Sequence, residues 1–195
     1  MKDRRLEHFS SLQALARTGL HFCKDEYDRE RYAAIERIAS ELLAAGAGAD
    51  PAELRSEWSR EGGYVTPKVE VRGAAFRAAD GKVLLVRETA DGLWTLPGGW
   101  ADVNDSPSGA IRKEIEQESG FRVRVVKLAA LYDRNAHGHT PSLHHSWKAF
   151  FLCEIEGGEA RGSYETDGVE FFSPDDLPPM SIGRCTPQQV MRMRQ

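Results

Sequence analysis

The segment from Gly98 to Phe121 constrains the fold more than any other part of the chain, because it carries clear signals for both ends of a helix. Ser106 followed by Pro107 predicts the start: the serine side chain can accept from the first free amides, and the proline ring already has a helical φ. Gly120 predicts the end, since glycine readily takes the left-handed conformation just past a helix. A glycine-rich loop followed by a short helix is therefore expected here.

The predicted helix has an apolar face and an acidic face. Residues three or four positions apart are neighbours on a helix, which groups Ile111 with Ile115. The same spacing groups Glu114 with Glu118. Two adjacent carboxylates raise each other's pKa unless a cation lies between them. Mg²⁺ suits that position because it prefers oxygen ligands and keeps waters or substrate phosphates in its shell. Taken alone, such a pair is more typical of a solvated helix face.

The whole segment resembles the Nudix box, G-x5-E-x7-R-E-U-x-E-E-x-G-U, in which U is an aliphatic or bulky apolar residue. The matching positions are Gly99, Glu114, Ile115, Glu118, Gly120 and Phe121. The departures are Asp105 for Glu, Lys113 for Arg, and Gln117 for the first Glu of the pair. The spacing is intact, and the Leu-Pro-Gly-Gly lead-in is typical of the family. The chain therefore resembles the MutT-like Nudix hydrolases, with a degenerate box.

Composition argues against several classes of function. The chain of 195 residues has a net charge of −4, with 29% charged and 41% hydrophobic residues, which is an ordinary globular balance. An acidic balance gives no reason to expect general attraction to nucleic acid or membranes. No apolar run approaches the roughly 20 residues that span a bilayer, and the N-terminus shows no secretory leader. Three scattered cysteines argue against disulfides and structural zinc, so a cytoplasmic protein is expected.

The chain divides into a helical part and an α/β part. Residues 1–62 are predicted to form a small N-terminal helical domain with a third helix opening at Asp50-Pro51 and running to about Arg60. Two apolar stripes at helical spacing support this prediction: Phe9, Leu12, Ala16 and Leu20, then Tyr32, Ile35, Ala39 and Leu42. Glu61-Gly62-Gly63 marks the boundary. Residues 63–195 alternate strand-like runs with helices, which predicts the α/β class. The Nudix resemblance implies an α/β/α sandwich with a mixed sheet.

The helical preface, together with the segments TPKVEVRGAAF, LLVRE and GLWTLPGGW, is similar to a bacterial Nudix subgroup. That subgroup includes CDP-choline and ADP-ribose pyrophosphatases, which act on nucleoside diphosphates linked to a second group, X. The resemblance implies hydrolysis of the pyrophosphate bond with Mg²⁺ or Mn²⁺, giving a nucleoside monophosphate and phosphorylated X. The apolar stripes of the helices favour a homodimer, although they could also pack within one chain.

Given this resemblance, Glu114 and Glu118 are expected to bind the metal, and the Gly99 backbone can approach closely enough to add its carbonyl. Gln117 belongs to the same catalytic face. Its amide oxygen can coordinate a cation, but it supplies no charge and cannot act as a base. The lysine of the box also lacks the planar fork of arginine. A slower or more metal-demanding enzyme is therefore expected.

Residues outside the box complete the predicted site. Family members often take a general base from a late loop, and here Glu165 is the candidate, with an ordinary polar turn as the alternative. Arg72, Arg87 and Arg134 are candidates for phosphate binding because a guanidinium binds phosphate bidentately, although an exposed arginine is more often simply solvated. Trp94 could stack on the nucleotide base or pack in the core.

Other interpretations stay open at this point. The departures from the box could mark a module that senses a nucleotide without cleaving it. Nucleic-acid processing such as cap removal ranks lowest, because no basic track occurs. Zinc is not favoured by the histidines of the polar loop, His137, His139, His144 and His145, because they lack ligand spacing and a nearby cysteine.

Overall fold

The structure is a computed structural model that describes residues 4–47, 50–58, 63–140, 142 and 144–194. It divides into two compact units, one of Met1–Pro67 with Pro141–His145 and one of Lys68–Thr140 with Ser146–Gln195. The predicted end of the third helix at Arg60 lies outside the described residues, as do Glu61 and Gly62 of the predicted boundary. The sequence did not indicate that residues 141–145 group with the helical unit.

The first unit is helical, as expected. It contains α1 (Arg5–Phe22), α2 (Glu26–Ala47) and α3 (Pro51–Trp58). α1 and α2 run antiparallel and approach closely at both ends. A side chain on Gly19 would lie 2.5 Å from the Tyr32 ring, and one on Gly46 would lie 2.6 Å from Leu6. None of the helices in the described ranges is long and apolar enough to cross a membrane.

The helical unit exposes much of its apolar surface. Its core consists of Leu43, Ala44, Leu54 and Trp58, with Leu6 and Phe9 packed against it. From the predicted stripes, Ala16 and Ala39 are buried, whereas the exposed members are Leu12, Ile35 and Leu42. Further exposed apolar side chains on α1 and α2 are Leu15, Phe22, Tyr27 and Ile38. Only some residues of the two predicted apolar stripes are therefore buried within this unit.

Within the described residues, the second unit combines two sheets, two α-helices and a short 3-10 helix (Arg134–Ala136). Its elements are β1 (Lys68–Ala75), β2 (Val83–Glu88), β3 (Trp94–Thr95), α4 (Pro107–Ser119), β4 (Phe121–Asp133), β5 (Ser146–Gly158), β6 (Thr166–Phe172) and α5 (Pro187–Met193). One sheet has the order β1-β5-β4, with β1 parallel and β4 antiparallel to β5. The other has the order β3-β2-β6 and is antiparallel. The predicted α/β class with a mixed sheet is confirmed.

Helix α4 covers one face of the β1-β5-β4 sheet. Its Ile111 and Ile115 are fully buried in a core with side chains of β1 and β5. A side chain on Gly73 would lie 2.5 Å from Ile115 Cδ1, so α4 packs directly on β1. A second core joins Phe150 of β5 to side chains of α5. Helices therefore contribute to both cores that flank β5, as α/β/α layering requires.

The glycine-rich loop before α4 runs beside β1. Backbone hydrogen bonds join Val71 N to Gly99 O at 2.8 Å and Gly73 N to Pro97 O at 2.9 Å. Gly98 lies between them with φ +142°, and a side chain there would lie 2.0 Å from the Val71 carbonyl oxygen. Only glycine tolerates both this φ and this approach. Glycine at this position therefore lets the loop lie directly against the backbone of β1.

Helix α4 starts and ends where the sequence predicts. Ser106 Oγ accepts from Gly109 N at 3.1 Å, and Pro107 occupies the first turn. Gly120 ends the helix with φ +77°, and a side chain there would lie 2.4 Å from Glu159 O. Because both ends are specified, the acidic face of α4 has a defined position relative to the loop.

Candidate active site

Glu118 is a buried carboxylate held by the glycine-rich loop. Gly98 N donates to Glu118 Oε2 at 2.8 Å, and the residue is 5% exposed. Burial raises the pKa of Glu118 to about 7; Arg72 and the Gly98 amide oppose the rise, whereas Glu114 and Glu88 add to it. A cation that neutralised this carboxylate would relieve an unfavourable burial.

Glu114 lies one helical turn before Glu118 and is half-buried. A side chain on Gly99 would lie 3.2 Å from Glu114 Oε2, so the glycine keeps the loop clear of this carboxylate. Burial raises the pKa of Glu114; Arg72 opposes the rise and Glu165 adds to it. The Gly99 carbonyl, a predicted metal ligand, accepts from the β1 backbone and keeps one of its two lone pairs. Its role as a ligand stays a prediction.

Arg72 is the positive charge that most lowers the pKa of both Glu114 and Glu118. Its side chain is buried, with 4% of the residue exposed. Its Nε donates to Glu70 Oε1 at 2.9 Å and its Nη1 donates to Leu96 O at 3.0 Å. Lys148 Nζ contacts Glu70 Oε2 at 2.5 Å. Burial alone would raise the pKa of Glu70, but Arg72 and Lys148 hold it below its ordinary value. The predicted contact of Arg72 with a substrate phosphate stays a prediction, since its donors already serve the protein interior.

Glu88 is a further buried carboxylate near the acidic face, and the sequence reasoning missed it. It ends β2 and is 6% exposed. Arg184 Nε lies 2.9 Å from Glu88 Oε1 and its Nη1 lies 3.0 Å from Asp91 Oδ2. Burial raises the pKa of Glu88, with Arg184 and Arg72 opposing and Asp91 and Glu165 adding. The one sign of it in the sequence is that an acidic residue ends the apolar strand VLLVRE.

Glu165 lies close enough to the acidic face to affect it. Its charge raises the pKa of both Glu114 and Glu88. Its side chain is exposed and accepts a short hydrogen bond from the Tyr164 hydroxyl. Gln117, the departure on α4, is also exposed. The structure therefore brings the candidate base within electrostatic reach of Glu114, one of the two candidate metal ligands, across about 50 residues of chain.

Two predicted substrate-binding residues lie together on the β3-β2-β6 sheet. Arg87 and Trp94 are partners in the β2-β3 register, and the Arg87 guanidinium lies 5.8 Å from the Trp94 ring. Arg87 Nε donates to Asp167 Oδ1 at 2.7 Å at an exposed position. Trp94 packs edge-on against Phe172 at 4.8 Å. The pair presents a cation and a half-exposed indole on one surface, and its contact with substrate stays a prediction.

Arg134, the third candidate for phosphate binding, is 8% exposed. It donates to Thr140 O at 2.7 Å and to Gly183 O at 3.4 Å, so it joins the end of the polar loop to the segment before α5. His139 lies in the same region. Its Nδ1 donates to Ile182 O at 2.7 Å, which leaves Nε2 to accept from Gln189. Burial lowers the pKa of His139 to about 4.

The other two departures from the box contact each other. Lys113 Nζ lies 2.6 Å from Asp102 Oδ2 and 3.4 Å from Asp105 Oδ2. The substituted acid and the substituted base therefore still form an ion pair across the loop and the helix. The pair is exposed, so solvent screening keeps its contribution to stability small.

Glu114 and Glu118 fit a divalent cation. Burial drives both carboxylates toward the neutral form, and both lie against the backbone of two glycines, Glu118 at Gly98 and Glu114 at Gly99. Within the described ranges, no three His, Cys, Asp or Glu side chains converge as a ready-made metal site. A cation here would therefore complete its shell with a backbone carbonyl, waters and substrate phosphates, as Mg²⁺ commonly does.

Two family models match the chain. The NUDIX domain model matches residues 67–188, and a model described as "UDP-X-like, N-terminal oligomerisation domain" matches residues 3–57. The chain belongs to the Nudix family and is a Nudix hydrolase. Its helical unit is similar to that of the UDP-X-like members. Nudix hydrolases generally use a divalent metal ion.

Individual relatives agree with this assignment. A Bacillus subtilis protein named "Putative ADP-ribose pyrophosphatase YjhB" is 40% identical over 185 residues, covering 95% of this chain and 88% of the relative. An ADP-ribose pyrophosphatase structure from Streptococcus suis is 39% identical, with a TM-score of 0.60, covering 66% of this chain and 90% of that one. A UDP-X diphosphatase structure is 33% identical, with a TM-score of 0.62, covering 97% and 91%.

Proposed function

We propose that the protein hydrolyses the pyrophosphate bond of a nucleoside diphosphate linked to a group X, with Mg²⁺ or Mn²⁺ as cofactor. The products are a nucleoside monophosphate and phosphorylated X. The observation that carries this proposal is the pair Glu114 and Glu118, two carboxylates one helical turn apart whose pKa values are both raised by burial beside a glycine-rich loop. The names of the relatives support ADP-ribose and UDP-linked compounds as substrates, and CDP-choline remains a third candidate.

Glu114 and Glu118 would hold the metal, with the Gly99 carbonyl as a further ligand. A bound divalent ion supplies charge neutralisation of the diphosphate and lowers the pKa of a coordinated water. Glu165 would accept the proton of the attacking water, because it is exposed and lies within electrostatic reach of Glu114. Gln117 would contribute only a neutral amide oxygen.

The four predicted substrate-binding residues divide into two groups. Arg87 and Trp94 would contact substrate directly, since the guanidinium and the indole share one exposed surface. Arg72 and Arg134 would act from inside the protein. Arg72 balances the charge of Glu118 when no cation is bound, and Arg134 holds the polar loop in place.

A substrate panel tests the activity. Purified protein is incubated with ADP-ribose, a UDP-sugar or CDP-choline in Mg²⁺ or Mn²⁺, and released phosphomonoester is measured. We expect turnover of at least one compound, abolished by chelator, and a loss on the order of 100-fold or more in Glu118→Gln. Glu116→Gln, an exposed change on the same helix, serves as the control. No turnover of any compound would overturn the proposal.

The base assignment has its own test. Glu165→Gln keeps the size and hydrogen-bonding capacity of the side chain but cannot accept the proton. At saturating metal, we expect kcat to fall about 100-fold or more, the usual cost of losing a general base. A near-normal kcat would show that another group serves as the base.

A second candidate function is nucleotide sensing without cleavage. Gln117 favours it, because the acidic face has lost one negative charge at an exposed position of α4. Ligand-induced thermal stabilisation with no product formed would support this alternative.

We also propose that the protein is a homodimer joined through its helical unit. The exposed side chains Leu15 and Phe22 lie seven residues apart on α1, that is, on the same side of the helix. A family model described as an N-terminal oligomerisation domain matches residues 3–57, which supports the proposed dimer. Light scattering should give twice the chain mass, and Leu15→Glu with Phe22→Glu should give the monomer. Val103→Glu, at an exposed site of the other unit, should leave the mass unchanged.

A further inference from the structure

The turn that carries Glu165 is held by the hydroxyl groups of Ser163 and Thr166. We infer that Thr166 is a positioning residue, which holds Glu165 in place against helix α4 through a directed chain of hydrogen bonds ending on the Glu118 backbone carbonyl. This inference rests on the proposed function, because it gives Glu165 the role of base.

The direction of each hydrogen bond follows from chemistry. Thr166 Oγ1 lies 2.7 Å from Glu118 O, and a carbonyl oxygen can only accept, so the single hydroxyl proton of Thr166 is used there. Ser163 Oγ lies 3.1 Å from Thr166 Oγ1 and must therefore be the donor of that pair. Ser163 Oγ in turn accepts from Glu165 N at 3.1 Å. The chain runs in one direction from the amide of the candidate base to the backbone of a candidate metal ligand.

Further contacts attach the turn on both sides. Arg161 N donates to Ser119 O at 2.9 Å, which adds a second link to the end of α4. On the other side, the amide of Thr89 donates to Glu165 O at 2.8 Å and its hydroxyl donates to the same oxygen at 3.0 Å. The backbone of Glu165 is therefore fixed between α4 and the residue that follows β2, while its side chain stays exposed.

Thr166 is the buried member of this arrangement. It is fully buried, whereas Glu165 is exposed, so the hydroxyl of Thr166 has no water with which to replace its partner. Its loss leaves the Glu118 carbonyl without this donor and removes one of the two links between the turn and the end of α4, so the turn can shift on the side of that helix. A displacement of about 1 Å at a reacting group can lower a rate about 100-fold. The effect should therefore fall on kcat rather than on substrate or metal binding.

Three variants test the inference. Thr166→Val removes the hydroxyl with little change in volume, and Thr166→Ser restores it. Thr95→Val is the matched control, since Thr95 is also fully buried but its hydroxyl donates to the carbonyl of the neighbouring residue, Leu96. We expect about a 10- to 100-fold loss of kcat in Thr166→Val, with KM and the Mn²⁺ dissociation constant changed less than 2-fold. Recovery to within about 3-fold is expected in Thr166→Ser, and little change in Thr95→Val. Equal losses in Thr166→Ser or Thr95→Val would overturn the inference.

A double variant separates positioning of the base from general loss of structure. In the Glu165→Gln background, Thr166→Val should lower kcat by less than 2-fold, because the group it positions is already gone. A loss as large as in the wild-type background would show that Thr166 does not act through Glu165. If Thr166→Val does not fold, Ser163→Ala interrupts the same chain at a less buried position and should give the same pattern.

Amide hydrogen exchange tests the positioning without substrate or metal. Loss of the hydroxyl should speed exchange at residues 163–166 by about 10-fold or more, with the interior of α4 unchanged. Unchanged exchange in the turn would overturn the inference. Because this measurement needs no turnover, it separates failure of the positioning role from failure of the proposed hydrolase activity.

Discussion

Replacing Glu118 with glutamine should stabilise the metal-free protein at high pH while removing its activity. Glu118 has a pKa of about 7 in the fold, against an ordinary value of 4.5, because burial disfavours the charged carboxylate. Since one pKa unit corresponds to about 1.4 kcal/mol, this difference costs the ionised protein about 3 kcal/mol. Glutamine keeps an oxygen that can accept from Gly98 N and never ionises.

The sign of the pH dependence follows from proton binding. Below about pH 4.5, Glu118 is protonated in both the folded and the unfolded chain, so it imposes no penalty. Between pH 4.5 and 7 the unfolded chain ionises first, and stability falls as the pH rises. Above pH 7 the full penalty of about 3 kcal/mol is present. The stability advantage of Glu118→Gln should therefore be near zero at pH 4.5 and about 3 kcal/mol at pH 8.

Urea unfolding in chelator, followed by tryptophan fluorescence, measures this difference. Trp94, Trp100 and Trp147, three of the four tryptophans, lie in the unit that contains Glu118. Glu116→Gln should show no such pH-dependent gain, because Glu116 is exposed. Millimolar Mn²⁺ should reduce the advantage by stabilising only the wild type. A difference that does not vary between pH 4.5 and 8, or a variant that is less stable at pH 8, would refute the reasoning.

Three further predictions follow from the same region. Gln117→Glu should lower the metal concentration for half-maximal rate about 30-fold, because a carboxylate about 4 Å from a divalent ion gains about 2 kcal/mol even in a water-like dielectric. No change in rate or in metal response would show that Gln117 is not what weakens the site. Gly98→Ala should lower the free energy of unfolding, measured by chemical denaturation, by about 2–5 kcal/mol, because the new Cβ would lie 2.0 Å from a backbone oxygen of β1. Gly81→Ala is the control: its φ is +68° but nothing lies near the new Cβ, so the loss should be only about 1–2 kcal/mol. Lys148→Met should lower the free energy of unfolding by about 3–5 kcal/mol, because it leaves Glu70 partly unpaired in the interior; a loss below about 1 kcal/mol would show that the ion pair contributes little.

The sequence predicted those features of the site that depend on residues close together in the chain. The start of α4 depends on Ser106 and its end on Gly120, both within a few residues of the groups they contact. The distance between Glu114 and Glu118 follows from helix geometry alone. The acidic helix face, its register and the need for glycine before it were therefore accessible without any knowledge of the fold.

The roles of the arginines could not be predicted in the same way. The sequence predicted both Arg72 and Arg87 as candidates for phosphate binding, and the structure places Arg72 inside β1 and Arg87 next to the last residue of β2. The parallel register of β1 and β5 then places Lys148 opposite Glu70, which draws Arg72 into a buried ion network. Arg87 instead stays at the surface with Asp167. Strand pairing, which joins residues 78 positions apart, made that difference.

The amino-acid sequence by itself determined the helix, its caps and the spacing of its carboxylates, because those depend on local backbone geometry. Tertiary structure alone decided how strongly the carboxylates of α4 resist ionisation and which positive charges lie near them. It also decided that Glu88 and the turn carrying Glu165 lie close to these carboxylates. The physical reason is that burial and charge coupling depend on distance in space. The groups concerned lie on β1, β2, α4 and the β5-β6 turn, and only folding brings them together.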